Sequence, residues 1–268
     1  VLIYGFKWSV GGAALATLIS RVFSMIVVFA ALRKPRQVIV IRDYLRFRPD
    51  MPLIWKIMAI GIPSGIENGM FQFGKLAIQS TVSTMGTAAI AAQAMASILE
   101  GLNGICGIGI GIGLMTVVGQ CIGAGRYEEA KYYIVKLTKA AWVSIVISCL
   151  VVFAITKPVT WLAGMEAESA KLCFEMVTAI TIVKPFAWVG SFIISYGLRA
   201  AGDVQFSMIV STVTMWCCRV VLCIFLVKVY QFGPMAVWIG MFADWTARSV
   251  IFTGRFLSGK WLPVGREA

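Results

Sequence analysis

Histidine is absent from all 268 residues. Its absence excludes imidazole metal sites, Ser-His-Asp and Cys-His nucleophilic triads, and histidine proton relays. Charge is scarce as well: 13% of residues are Asp, Glu, Lys or Arg, against roughly 25% in soluble chains. What is present is apolar, with 59% hydrophobic residues and a mean hydropathy of +0.86. Helices facing water need polar faces, and this composition cannot supply them. Glycine (26) and methionine (13) are plentiful, as spanning helices that pack closely require. The seven cysteines lie almost entirely in apolar segments and show no C-x-x-C spacing, so they read as small buried hydrophobes rather than disulfides or ligands. The composition is that of an all-α integral membrane protein.

Seven apolar segments reach spanning length, which takes about 20 residues: Val10–Leu32, Leu53–Ser83, Thr87–Gly119, Tyr132–Thr156, Ser169–Leu198, Val204–Tyr230 and Pro234–Leu257. Helix breakers stand between them at Met85-Gly86, Ala124-Gly125, Gly202-Asp203 and Gly233-Pro234. The net charge of +12 sits mostly between the spans, as in cytoplasmic loops, and no basic patch is interleaved with stacking aromatics as a nucleic-acid partner would require. One set of connections holds fifteen Lys and Arg, seven of them between residues 33 and 56, and the alternate set holds four. The richer set belongs in the cytoplasm, which places Ala268 inside and Val1 outside. An odd helix count with an external N-terminus suggests a C-terminal fragment. The basic stretch 33–52 is the one sizeable polar linker. It separates a first helix (1–32) from a six-helix bundle (53–258) and a cytoplasmic tail (259–268).

A charge inside a span costs about 2.5–3.5 kcal/mol, so ionisable residues there are functional candidates. Glu67 leads. Pro63 should bend its helix one turn earlier, and the spacing puts Glu67 on the face of Phe71 and Gly74. A carboxylate beside a kink and an aromatic ring can hold a proton, Na⁺ or a cationic compound in turn. Lys75 lies two turns on, a second candidate for the same cavity or a snorkelling contact. Glu100 and Asn103 form a third candidate pair. Lys184-Pro185 interrupts the fifth segment, so that Pro63 and Pro185 are candidate hinges. Phe71, Phe186 and Trp188 are candidate cargo contacts, although most aromatics here suit a lipid face. Asp244 and Arg248, at i, i+4, read as an ordinary ion pair, and Arg21 and Arg219 as anchors between helices. Arg199 and Asp203 read as fixing loop geometry. The glycine run from Gly101 to Gly113 follows no strand and reads as close helix packing rather than a nucleotide loop.

The run Val118-Gly119-Gln120-Cys121-Ile122-Gly123-Ala124-Gly125-Arg126-Tyr127-Glu128-Glu129-Ala130 resembles a cytoplasmic-end motif of the multidrug and toxic compound extrusion (MATE) transporters, as does Gly197-Leu198-Arg199-Ala200-Ala201-Gly202-Asp203. Gly61-Ile62-Pro63-Ser64-Gly65-Ile66-Glu67, Gly86-Thr87-Ala88-Ala89-Ile90-Ala91-Ala92-Gln93 and Gly12-Ala13-Ala14-Leu15-Ala16-Thr17 are similar to the openings of that family's seventh and eighth helices and to part of its sixth. The resemblance implies twelve helices in two six-helix lobes related by a pseudo-twofold axis along the membrane normal. This chain would be helix six plus the C-terminal lobe, its partner the missing N-terminal lobe.

The implied activity is export of amphipathic or cationic drug-like compounds in exchange for Na⁺ or H⁺, with no other cofactor. The implied protein is a monomeric, multi-pass protein of the bacterial cell membrane. Glu67 occupies the place of the family's cation-binding glutamate, the possible Na⁺ ligand. Sodium-coupled relatives often carry an aspartate in the fifth span, where Trp188 stands instead, and no acidic residue occurs between Glu175 and Asp203. The alternative is a lipid-linked oligosaccharide flippase, for which Lys75, Lys184 and Arg219 would supply a cationic cavity. An intramembrane enzyme is not expected, for there are no paired intramembrane aspartates and no G-x-S-x-G.

Overall fold

The computed structural model describes residues 10–32, 50–230 and 232–262, and all regular structure among them is helical. The helices are α1 (Val10–Leu32), α2 (Met51–Val82), α3 (Thr87–Gly123), α4 (Tyr127–Leu162), α5 (Ala167–Ala200), α6 (Val204–Thr214), α7 (Leu222–Tyr230) and α8 (Met235–Leu257). A π-helical segment, Met215–Val221, joins α6 to α7 in one rod. Each expected span has its helix. The chain forms two compact units, Val1–Trp55 and Lys56–Ala268. Most of the expected linker (33–49) and the end of the expected tail (263–268) lie outside the described residues.

Five of the rods, those containing α1, α3, α4, α5 and the α6–α7 pair, are long and apolar enough to cross a membrane. The two others are α2, which carries Glu67 and Lys75, and α8, which carries Asp244 and Arg248. The expected ends hold within four residues except at α4, which starts at Tyr127 instead of Tyr132. Helix α4 continues through Pro158 to Leu162 instead of stopping near Thr156. Thr160 donates to the Lys157 carbonyl there.

Turns follow from glycine. Gly202 (φ 95°) ends α5, and Asp203 N–H donates to the Leu198 carbonyl. Gly125 (φ 73°) ends α3 in the same way, through Arg126 N–H to Cys121. A Cβ is disfavoured at such left-handed caps.

The packing is inverted relative to a soluble bundle. Along α3, Gly104, Gly107 and Gly111 are buried while Ile98, Ile105 and Ile112 are exposed. Small residues inside let the backbones approach and large apolar residues outside meet lipid. A Cβ added at Gly107 would lie 2.6 Å from Trp188, and one at Gly111 would lie 2.5 Å from Tyr196. One core joins α3, α4, α5 and α8. A smaller one joins Ile78 and Val82 of α2 to Met215, Val220, Cys223 and Val237. At Gly240 of α8 a Cβ would come within 2.9 Å of the Arg219 carbonyl, so α8 lies directly against the π-helical segment. Four of the seven cysteines are buried and all are free thiols.

Candidate functional site

Within α2, Pro63 removes one backbone donor from the turn before Glu67. Beyond it, Glu67, Asn68 and Phe71 wall a cavity of about 150 Å³. The facing wall is Phe192, Ser195, Tyr196 and Arg199 of α5, with Arg248 of α8. The four α5 residues fall at i, i+3, i+4 and i+7, which is one helical face.

Across the cavity Arg199 Nη2 donates to Glu67 Oε1 at 2.6 Å. The side chains are 24% and 12% exposed, respectively. The pair is incompletely satisfied. Glu67 Oε2, Arg199 Nε and Ser195 Oγ are buried without a hydrogen-bond partner, leaving one acceptor and two possible donors unspent beside the cavity. Buried polar groups are usually paired, and these three unpaired atoms belong to residues that line one hollow.

Behind this wall, Arg248 Nε donates to Asp244 Oδ1 at 2.7 Å and to Thr214 Oγ1 at 2.9 Å, and Nη2 donates to the Ser211 carbonyl at 3.1 Å. Asp244 is fully buried, and its Oδ2 is unpartnered. Phe71 is shared by three cations. Lys75 Nζ lies 4.9 Å from its ring centroid, and the guanidinium carbons of Arg219 and Arg248 lie at 5.4 and 6.0 Å. A ring face attracts cations through its quadrupole. The buried Arg219 keeps an unpartnered Nε rather than anchoring to a carboxylate.

A second polar cluster lies between α3 and α5. The fully buried Lys184 donates to Glu100 Oε1 at 2.6 Å and to the Glu100 carbonyl at 2.9 Å, with its Nζ 5.3 Å from the Trp188 ring. Asn103 donates to Cys149 Sγ at 3.1 Å and accepts from Ser148 through its carbonyl.

The structure therefore divides the residues expected to act together. Glu67 and Phe71 line the cavity, while Lys75 is exposed and touches it only through Phe71. Glu100, Asn103 and Lys184 are not among its lining residues. Trp188 is 4% exposed and stacks on Phe192 at 4.9 Å. It is a core residue filling the space that Gly107 opens. Phe186 is 73% exposed on the outer surface, away from the cavity. The expected Asp244–Arg248 pair is present. Asp203 does brace its turn, accepting from Arg255 Nε at 2.8 Å, but Arg199 does not, because its guanidinium reaches Glu67 instead. Sequence reasoning missed Asn68, Phe192, Ser195 and Tyr196. The signal available was the polar and aromatic stripe from Phe192 to Arg199 at helical spacing. Among the described residues no three Cys, Asp or Glu side chains gather as a metal site.

A family model described as MatE matches residues 63–225. The chain is 27% identical over 268 aligned positions to a probable multidrug resistance protein NorM of Thermotoga maritima, covering 96% of this chain and 55% of that one. It is 23% identical to a probable multidrug resistance protein YoeA of Bacillus subtilis, covering 94% of this chain and 55% of that one. An outward-facing multidrug resistance MATE family transporter of the MOP superfamily has the same fold: TM-score 0.80, 19% identity, 97% of this chain and 59% of that one. The chain thus spans little more than half the length of these relatives.

Proposed function

Because the chain belongs to the MatE family, we propose that it is helix six and the C-terminal lobe of a secondary active antiporter that exports amphipathic compounds in exchange for Na⁺ or H⁺. Membership makes it part of a membrane transporter. In this reading it works with an N-terminal lobe of the same protein, as a monomer of the cell membrane that catalyses no reaction and keeps its C-terminus in the cytoplasm.

One observation carries the reading. Glu67 stands in a cavity wall with one oxygen held by Arg199 and the other unpartnered. A proton or Na⁺ arriving at the free oxygen neutralises the carboxylate and weakens its hold on Arg199. The cavity then changes charge, and cargo and ion compete for it. Coupling requires that ion and cargo prefer different facing states as two lobes rock about the site. The flippase alternative is not favoured: the named relatives are multidrug resistance proteins, and Lys184, which was to supply it with positive charge, is engaged by Glu100.

The test is efflux of an amphipathic dye from proteoliposomes under an imposed pH or Na⁺ gradient. Glu67→Gln should reduce gradient-driven efflux to the leak rate while the protein still inserts and purifies. Efflux at the wild-type rate would remove Glu67 from the coupling step.

A further inference from the structure

Two guanidinium groups and one carboxylate line the cavity. Arg199 and Arg248 line it with Glu67, and Asp244, Arg219 and Lys75 stand directly behind or beside Phe71. Each lining arginine already has a carboxylate partner, Glu67 for Arg199 and Asp244 for Arg248, and Lys75 and Arg219 lie outside the lining. What the lining keeps is unspent donors. Arg199 Nε is a donor with nothing to donate to, and the Ser195 hydroxyl, 4% exposed, has no partner either. An oxyanion would satisfy both, and guanidinium groups bind planar carboxylate and phosphate groups well. The apolar walls are rings: Phe71, Phe192 and Tyr196.

We propose that this cavity binds the anionic oxygen group, carboxylate or phosphate, of an amphipathic cargo, held by Arg199, Arg248 and Ser195 with its adjoining ring among Phe71, Phe192 and Tyr196. The inference rests on the export reading of the same cavity and narrows its cargo. At about 150 Å³ the cavity is smaller than the 300–1,000 Å³ that houses a whole drug-sized ligand, so it takes a head group with part of a ring. Glu67 Oε2 remains for the ammonium of a zwitterion. Glu67 also restrains the anion site, because it occupies Arg199 Nη2 and repels a second negative charge. The Glu67–Arg199 pair therefore acts as a stand-in for cargo when the cavity is empty.

The test uses purified protein in phosphatidylcholine nanodiscs and four probes sharing one ring system: 2-naphthoate, 2-naphthyl phosphate, 2-naphthylmethylammonium and neutral 2-naphthamide. One or both anions should bind at least tenfold more tightly than the amide, about the worth of one charge-assisted hydrogen bond. Ser195→Ala, which a helix tolerates, should weaken anion binding about tenfold. Arg199→Lys keeps the positive charge but loses Nε, and should erase the preference over the amide. Glu67→Gln should tighten the anions and weaken the ammonium. Loss of anion binding when phosphatidylglycerol is added to the nanodiscs identifies a lipid phosphate as the occupant; persistence identifies a soluble organic anion, and either result upholds the anion site. Binding of the ammonium with no binding of either anion overturns the proposal while leaving the export cavity standing. Binding of none of the four overturns both.

Discussion

Lys184 and Glu100 look functional in the sequence, yet their geometry is that of a brace, and a double-mutant cycle separates the two roles. Lys184 is fully buried, its Nζ is 2.6 Å from Glu100 Oε1, and it also bonds the Glu100 carbonyl. Removing one member of a buried pair typically costs about 3–5 kcal/mol, because the survivor is left charged and unpaired. Glu100 keeps 23% side-chain exposure, so water and protonation relieve part of that cost, and about 2–4 kcal/mol is expected for Lys184→Met. Replacing both partners by neutral side chains of similar size is often near neutral, so Lys184→Met with Glu100→Gln should lie within about 1 kcal/mol of wild type. At about 2–4 °C per kcal/mol for a chain of this size, the single variant should melt about 5–15 °C lower and the double variant no more than about 4 °C lower. Thermal melts in detergent read both, and efflux in proteoliposomes reads function, which the double variant should retain. A single variant as stable as wild type would refute the brace. A folded double variant that exports nothing would place the pair in the transport machinery.

Glycine substitutions along α3 should split by face. Gly111→Ala drives a methyl group into the Tyr196 ring and should cost about 1–3 kcal/mol, whereas Gly109→Ala meets open space and should be neutral or stabilising in the same melts. The charge asymmetry of the loops predicts that the exposed Lys260 faces the cytoplasm. A membrane-impermeant maleimide should label Lys260→Cys in inverted vesicles and leave it unlabelled in intact cells, and the opposite pattern would reverse the topology.

The helices were legible because spanning length and apolar composition are local properties, and four Gly-containing turns fell where the sequence placed them. Glu67 was legible for a related reason: a carboxylate in an apolar helix is conspicuous from composition alone. Its partner was not. Arg199 is 132 positions away, in a segment that reads as a loop-fixing motif, and periodicity tells which face a residue occupies but not which helix that face meets. Trp188 failed for a similar reason. A tryptophan near a proline reads as a cargo contact until the notch at Gly107 is known to receive it. The π-helical Met215–Val221, against which Gly240 of another helix packs, left no signal in the sequence.

Helix α2 meets different surroundings along its length. One face of its second half is packed, with Gly74 against Met215 and Val220 and with Ile78 and Val82 in a core with the α6–α7 rod, while Phe73 and Leu76 are exposed. In its first half Ile57, Met58, Ile62 and Ile66 are exposed, and a Cβ at Gly61, Gly65 or Gly69 would touch nothing. Pro63 lies in this half, where one backbone hydrogen bond is already missing. The Glu67–Arg199 contact falls at the junction between the halves. Glu67 and Arg199 are 12% and 24% exposed, so removing either leaves a largely buried charge unpaired, as at Lys184. The two carboxylates therefore differ in surroundings: Glu100 holds a fully buried lysine between α3 and α5, whereas Glu67 holds an arginine beside a hollow.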